Sequence, residues 1–313
     1  MTPEAWMTIM SPIEEYLAEL SDPDAPVMPS KLAHLSDLPP EDLAAFRDQW
    51  PEIDAQRRRQ IATRLAELAA DNLELDFDEV FRVCLADPDS EVRYAAIEGL
   101  EQCEDRSLIE PLVDLLAEDS DPLVRSAAAT ALGRFALLAE LGKLPIEDGS
   151  RVEQALLTTM GRLDEHLDVY CSSLEAVSPL SKPHVEELIR EAYQSDSLEF
   201  RASALCAMGR NCNPDWLPIL LRELRSSHVQ LRIEAAKACA ELEAEEAVPR
   251  ITELLDDREI NVQLCAIEAL GAIGGQLARQ RLEQCAEGDD DILREAAEKA
   301  LEQLGFWEDH LDI

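Results

Sequence analysis

Seven positions of this 313-residue chain constrain its fold more than anything else in it. Arg93, Arg125, Tyr170, Arg201, Arg232, Gln263 and Arg294 each precede one recurring pattern, and the last five stand 31 residues apart. The first interval is 32 residues, and 45 separate Arg125 from Tyr170. Three residues beyond each anchor the side chain is small: Ala96, Ala128, Ser173, Ala204, Ala235, Ala266 and Ala297. Six beyond, it is small again: Gly99, Ala131, Ala176, Ala207, Ala238, Ala269 and Ala300. Seven beyond, it is apolar and mostly larger: Leu100, Leu132, Val177, Met208, Cys239, Leu270 and Leu301. Residues at these offsets share one face of a helix. Each anchor therefore opens an amphipathic helix whose packed face carries small side chains, so a neighbouring helix can come close.

A second helical stripe precedes the anchor, as in IEPLVDLLAED (109–119), VEELIREAY (185–193), WLPILLREL (216–224) and VPRITELLDD (248–257). Turn signals such as DPDS, DSDP, SDS and DDREI lie between the stripes, and proline there stops one helix or starts the next. Strand patterns are absent. The apolar residues, 46% of the chain, lean on Ala and Leu, while aromatics are only 4%. That composition favours helices. A single hairpin cannot bury its apolar face, but stacked hairpins can. The expected fold is all-α: a right-handed α-solenoid of about eight helix-turn-helix repeats. A weaker first unit lies in 41–72, with Arg58 as its anchor and Ala62 and Leu65 behind it.

DPDSEVRYAAIEGL, DSDPLVRSAAATALGRF, DSLEFRASALCAMGR and INVQLCAIEALGAIG resemble HEAT repeats, in particular the short bacterial type seen in phycobilin-lyase-like proteins. The resemblance covers roughly 42–304. It speaks for the fold and little for function, because its motif is made of packing residues. It also implies an Asp–Arg ladder between stacked turns. Asp87, Asp119, Asp164 and Asp257 stand six residues before an anchor, and Arg93, Arg125, Arg201, Arg232 and Arg294 occupy anchors. Arg93 is expected to pair with a turn acid of its own or an adjacent repeat.

Departures from the repeat mark where function could sit. Residues 1–40 form an N-terminal segment with a helix in SPIEEYLAEL and a Pro-rich linker in SDPDAPVMPS. Met1, Trp6, Met7 and Ile9 either pack on the first unit, the favoured reading, or enter a partner's groove as an amphipathic segment. The solenoid runs over 41–304. Its insertion at 137–150, expected as an extended helix followed by a loop, is either a tolerated loop or part of a binding face. Tyr170 replaces an anchor arginine. Glu298 stands where Ile97, Leu174, Leu205 and Ile267 sit in other repeats, as an exposed capping repeat would require. Residues 305–313 form an acidic C-terminal tail, in which Phe306 and Trp307 are expected to fold back over the last core.

Acids number 66 against 28 bases, a net charge of −38. Such a surface repels nucleic acid and anionic membranes and favours a basic protein partner or a cation. It also serves solubility. The N-terminus shows no basic leader, and no stretch reaches the roughly 18–20 apolar residues of a membrane span. The eight cysteines lack metal spacing. A cytoplasmic protein with free thiols and no membrane insertion is expected.

No Gly-rich phosphate loop, G-x-S-x-G elbow or H-E-x-x-H is present. Deoxyhypusine hydroxylase, a HEAT-type enzyme, carries several His-Glu dipeptides, and this chain has none, which argues against that activity. A phycobilin-lyase-like role would need a base for propionates and an acid for pyrrole nitrogens, for which Arg134, Arg210, Glu98 and Glu175 are available. No catalytic, cofactor-binding or metal-binding set is identified, and no cofactor is expected. The reading favoured is a non-enzymatic scaffold, adaptor or assembly factor that binds another protein through its concave face. In HEAT-like arrays the second helices line that face, which here presents Tyr94, Glu98, Arg134, Tyr170, Glu175, Arg210, Lys237 and Glu268.

Overall fold

A computed structural model describes residues 12–23, 25–72 and 74–311. Every regular element among them is helical. The chain forms two compact units, Met1–Ala131 and Leu132–Ile313, divided inside one long helix. The first contains α1 (Pro12–Leu20), α2 (Pro29–Leu32), α3 (Pro40–Gln49), α4 (Ala55–Asp71), α5 (Asp78–Cys84), α6 (Ser90–Gly99), α7 (Ile109–Glu118) and the start of α8 (Pro122–Glu140). The second contains α9 (Ile146–Met160), α10 (Leu167–Val177), α11 (Pro183–Tyr193), α12 (Leu198–Asn211) and α13 (Leu217–Glu223). It continues with α14 (Val229–Glu241), α15 (Val248–Glu253), α16 (Ile260–Ile273), α17 (Gln276–Ala286) and α18 (Asp291–Leu311).

From α3 onward the helices follow in pairs, joined by tight turns. The turns are chemically marked. Asp89 and Asp121 accept the N–H groups of Glu91 and Leu123, each at 3.0 Å, and so cap α6 and α8. Pro183 begins α11, where a missing N–H costs nothing. Second helices stack on one another, α4 on α6 in the first unit and α10, α12, α14, α16 and α18 in succession in the second. This all-α stacking in sequence order is that of an α-solenoid.

Small residues make the stacking possible. Gly133, Gly209 and Gly271 each lie eight residues beyond an anchor. A Cβ on them would fall 3.1 Å from Ala176 Cα, 2.8 Å from Ala238 Cα and 2.9 Å from Ala300 Cβ. Those alanines are the +6 residues of the following repeat, so glycine in one helix meets alanine in the next. The larger +7 residues Val177, Met208, Cys239 and Leu270 are buried beside them. Each fully buried side chain of this size contributes roughly 1.5–3 kcal/mol.

The first unit keeps much of the chain's aromatic content. Phe46 stacks on Trp50 at 5.1 Å, and Phe77 meets Phe81 edge-on at 6.3 Å. Gly99 admits the Phe81 ring, which a Cβ there would touch at 2.2 Å. The N-terminal helix is docked on this core. Leu17 and Leu20 are buried, and Arg57 Nε donates to the Leu20 carbonyl at 2.6 Å. Met1, Trp6, Met7 and Ile9 lie outside the described residues.

The inserted segment differs from expectation. Helix α8 extends to Glu140, but α9 begins at Ile146, so only 141–145 is loop. Pro145 at the N-cap, with Glu147 and Asp148 in the first turn, starts the helix. Gly149 then lets α9 close on α8, since a Cβ there would lie 2.9 Å from Ala139 Cβ. At the other end α18 stays helical through residues 305–311. The side chains of Phe306 and Trp307 are outside the described set. Glu298 is exposed, whereas its counterparts Ile97, Leu174, Leu205 and Ile267 are buried.

Candidate protein-binding groove

The anchor residues hold turns together. Arg93 Nη1 donates to the carbonyl of Asp87, six residues back in its own turn, at 2.7 Å. Its Nε and Nη2 reach the Asp119 carboxylate of the next turn, both at 2.7 Å. Arg125 repeats the first contact on the Asp119 carbonyl at 2.8 Å. Arg232 takes the Ser226 carbonyl and the Asp257 carboxylate, each at 2.9 Å. Gln263 lacks the charge yet keeps the carbonyl contact, to Asp257, at 2.8 Å. Arg294 reaches the Gly288 carbonyl at 3.4 Å and pairs with Asp291. Each of Asp119 and Asp257 is thus gripped by the arginine of the repeat before it, while its own anchor holds its backbone.

The same pattern begins one repeat earlier. Asp87, buried, accepts from Arg58 Nε at 2.8 Å, Trp50 Nε1 at 2.7 Å and the Asp89 N–H at 2.9 Å. Several repeats depart from it. Ser226 occupies the turn position facing Arg201, and buried Glu223 substitutes, accepting from Arg201 at 3.3 Å and from Tyr193 Oη. Tyr170 packs edge-on against Phe200 at 4.9 Å, and Asp164 is exposed, with no ion pair among the described residues. The ladder therefore departs from its pattern at Asp164, whose own anchor, Tyr170, packs on Phe200.

In the first unit this scaffold supports a groove of about 540 Å³ between α4, α6 and the first turn of α8. Ala66 and Ala70 of α4, Ala95 of α6 and Val124 of α8 supply an apolar lining. Tyr94 and Leu123 project into it while 40% and 61% exposed. Its carboxylates are Glu67, Glu91, Glu98, Glu101 and Asp121, and no lysine or arginine lines it. A second hollow of about 470 Å³ shares Ala70, Glu98 and Glu101 and continues past Asp76, Phe77 and Asp78. The short side chains of Ala66, Ala70 and Ala95 leave this trough open between the helices.

Its charges are unevenly compensated. Arg64 pairs with Glu67 at 2.5 Å, and Arg59 reaches Glu91 at 3.3 Å. Glu98 and Glu101 have no basic partner among the described residues. Partial burial, reinforced by Glu101, holds the Glu98 carboxyl above its ordinary value. Burial and then the Glu98 charge push the Tyr94 phenol up as well. The groove therefore offers apolar contact beside a carboxylate pair that a cation would relieve.

The second unit brings fewer of the expected face residues together. Arg210 Nη1 lies 3.8 Å from Glu175 Oε2, and Cys206 Sγ lies 3.5 Å from the same oxygen. Lys237 pairs with Glu234 on its own helix at 3.3 Å. Glu268 is exposed, Arg134 half-buried and Tyr170 turned to Phe200. Leu137, Leu141 and Ile146, at the inserted segment, are 45%, 57% and 83% exposed. Sequence reading found Tyr94 and Glu98 but missed Glu101, Leu123 and the α4 wall. Leu123 carried a signal, an apolar residue one place past the helix-opening Pro122.

All eight cysteines are free. Burial pushes the thiols of Cys103, Cys171 and Cys265 up to about 11 and that of Cys239 up to about 12. Cys84 and Cys206 shift further in the same direction for the same reason. The thiolate is the reactive form, so these environments suit packing more than nucleophilic attack. Among the described residues no cluster of three or more His, Cys, Asp and Glu is arranged to hold a metal, and no helix is long and apolar enough to cross a membrane.

A family model of HEAT repeats matches residues 78–146 and 217–302. A search of curated protein sequences finds no match. Among solved structures, YibA of E. coli is similar at 18% identity, over 76% of this chain and 96% of that one, with a TM-score of 0.45. The complex of CpcE and CpcF of phycocyanin lyase from Nostoc is similar at 17% identity, over 72% and 94%, with a TM-score of 0.47. Human deoxyhypusine hydroxylase is similar at 21% identity, over 85% and 96%, with a TM-score of 0.37. None of these likenesses carries an activity or a ligand over to this chain. With its matched repeats and its stacked helical hairpins, the chain carries HEAT repeats over residues 78–146 and 217–302.

Proposed function

We propose that this protein is a non-enzymatic scaffold, adaptor or assembly factor that binds another, basic protein. The observation that carries the reading is the first-unit groove, where exposed Tyr94 and Leu123 stand beside the uncompensated pair Glu98 and Glu101. Apolar anchors beside complementary charge are what protein recognition uses. The net charge of −38 adds long-range attraction for a basic partner. Eight unpaired cysteines accord with a reducing, cytoplasmic setting. On the second unit, Arg210 beside Glu175, and Lys237 and Glu268, offer a polar rim of mixed sign.

The test is affinity capture of the tagged full chain from its cells of origin, at low and at raised salt. The reading expects a specific protein partner that raised salt releases. Recovery of no specific protein, with a bound metal or the visible absorbance of a tetrapyrrole, would replace it with a carrier or lyase role.

A further inference from the structure

We infer that the trough between α4, α6 and the first turn of α8 in the first unit docks a basic amphipathic segment of the partner, with an apolar side chain against Tyr94 and Leu123 and a lysine or arginine held between Glu98 and Glu101. This rests on the protein-binding reading and gives it a place and a chemistry. The two hollows share Ala70, Glu98 and Glu101, so one elongated ligand fills both. Together they hold seven carboxylates (Glu67, Asp76, Asp78, Glu91, Glu98, Glu101 and Asp121) and no base. Glu98 and Glu101 are three apart on the chain and repel each other. A cation seated between them removes that repulsion and gains charge-assisted hydrogen bonds.

The apolar half of the site is independent of the charge. Tyr94 is a rigid ring with a polar tip, the kind of side chain enriched at interface centres. Leu123 of α8 lines the same groove while 61% exposed, and the short side chains of Ala66, Ala70 and Ala95 keep the groove open. A nucleic acid or an anionic lipid would bring phosphates against seven carboxylates, and a purely apolar ligand would leave Glu98 and Glu101 uncompensated. An amphipathic basic segment satisfies both halves, as in helix-in-groove recognition.

The test uses the full chain and a fluorescent synthetic amphipathic peptide of leucine and lysine, followed by anisotropy. Two further peptides carry serine for leucine or glutamate for lysine. The chain is compared with Glu98→Gln/Glu101→Gln, with Tyr94→Ser, and with Glu245→Gln/Glu246→Gln, which removes the same charge from an exposed turn of the second unit. Circular dichroism melts confirm that each variant folds. The Leu/Lys peptide is expected to bind, about tenfold more weakly to Glu98→Gln/Glu101→Gln and to Tyr94→Ser. Glu245→Gln/Glu246→Gln should bind as the parent does, and both altered peptides should bind poorly. Equal weakening by the two glutamine pairs would mean capture by bulk acidity and would overturn the site. So would failure of the Leu/Lys peptide to bind, or equal binding of its serine counterpart. A captured natural partner that ignores Glu98→Gln/Glu101→Gln sinks the site alone. Capture of no partner at all sinks the broader reading.

Discussion

Arg93 holds Asp119 of the following repeat through two 2.7 Å hydrogen bonds while its third nitrogen takes the Asp87 carbonyl of its own turn. The Asp119 side chain is 3% exposed and Arg93 12%, so the pair is largely removed from water. Bonding to Asp119 raises the Arg93 pKa further. One guanidinium thus ties two repeats and closes one turn.

Arg93→Ala should leave Asp119 covered and uncompensated, at a cost of about 2–4 kcal/mol. Pairing it with Asp119→Ala should recover part of that loss, with a coupling of about 1–3 kcal/mol. Urea unfolding of the parent, the two single variants and the double variant measures this. Strict additivity would show that the ladder contributes no pairwise energy.

Gly209→Ala and Gly271→Ala should each cost about 1–3 kcal/mol, because the new methyl meets the next helix. At Gly209 it would lie 2.8 Å from Ala238 Cα and 2.5 Å from Glu241 Oε2. Gly161→Ala is the control. Its φ is −76°, and its nearest contacts are an ordinary 3.5 Å, so it should be neutral or slightly stabilising. Thermal melts separate the two classes. Equal effects at all three sites would contradict the close-packing account.

The repeat register was legible because packing imposes it. The residues at +3, +6 and +7 must be small, small and large in each unit, and a one-residue slip would turn that face to solvent. The sequence also identified Arg58 as the anchor of the weak first unit, where it grips Asp87. Compensation was harder to see. Glu223 takes over from the aspartate missing at Ser226, and Gln263 keeps a carbonyl contact without the charge; both are known only from three-dimensional position. The groove was half visible. Tyr94 and Glu98 follow from helix periodicity, but Ala66, Glu101 and Leu123 join them only through the stacking of three helices. Helix α9 starts earlier than expected because Pro145, Glu147 and Asp148 act as start signals within what reads as an insertion.

Stability should peak in mildly acidic solution. The hydrogen bond from Arg59 holds the Asp89 carboxyl below its ordinary value. Burial pushes Asp257 up, but bonds from Arg232 and the Glu259 N–H outweigh it and leave its carboxyl low. A depressed carboxyl adds stability that is present above its unfolded pKa, about 3.9, and is lost as pH falls through the folded value. Glu98 and Glu241 are raised by partial burial, so they act oppositely. Their contribution is present below the unfolded value, about 4.3, and is lost as pH rises through the folded one. Melting temperature against pH should therefore rise from neutral toward about pH 5 and fall below about pH 4. Glu241→Gln should flatten the neutral side. A melting temperature that climbs steadily from pH 5 to 8 would contradict these assignments.

Amide hydrogen exchange on the full chain, free and with its captured partner, tests the central claim most directly. Binding in the first-unit groove predicts new protection over residues 63–70, 90–101 and 121–124, with the exposed 137–146 segment unchanged. Protection confined to the 137–146 segment or to α12, α14 and α16, with the groove exchanging as in the free protein, would contradict it.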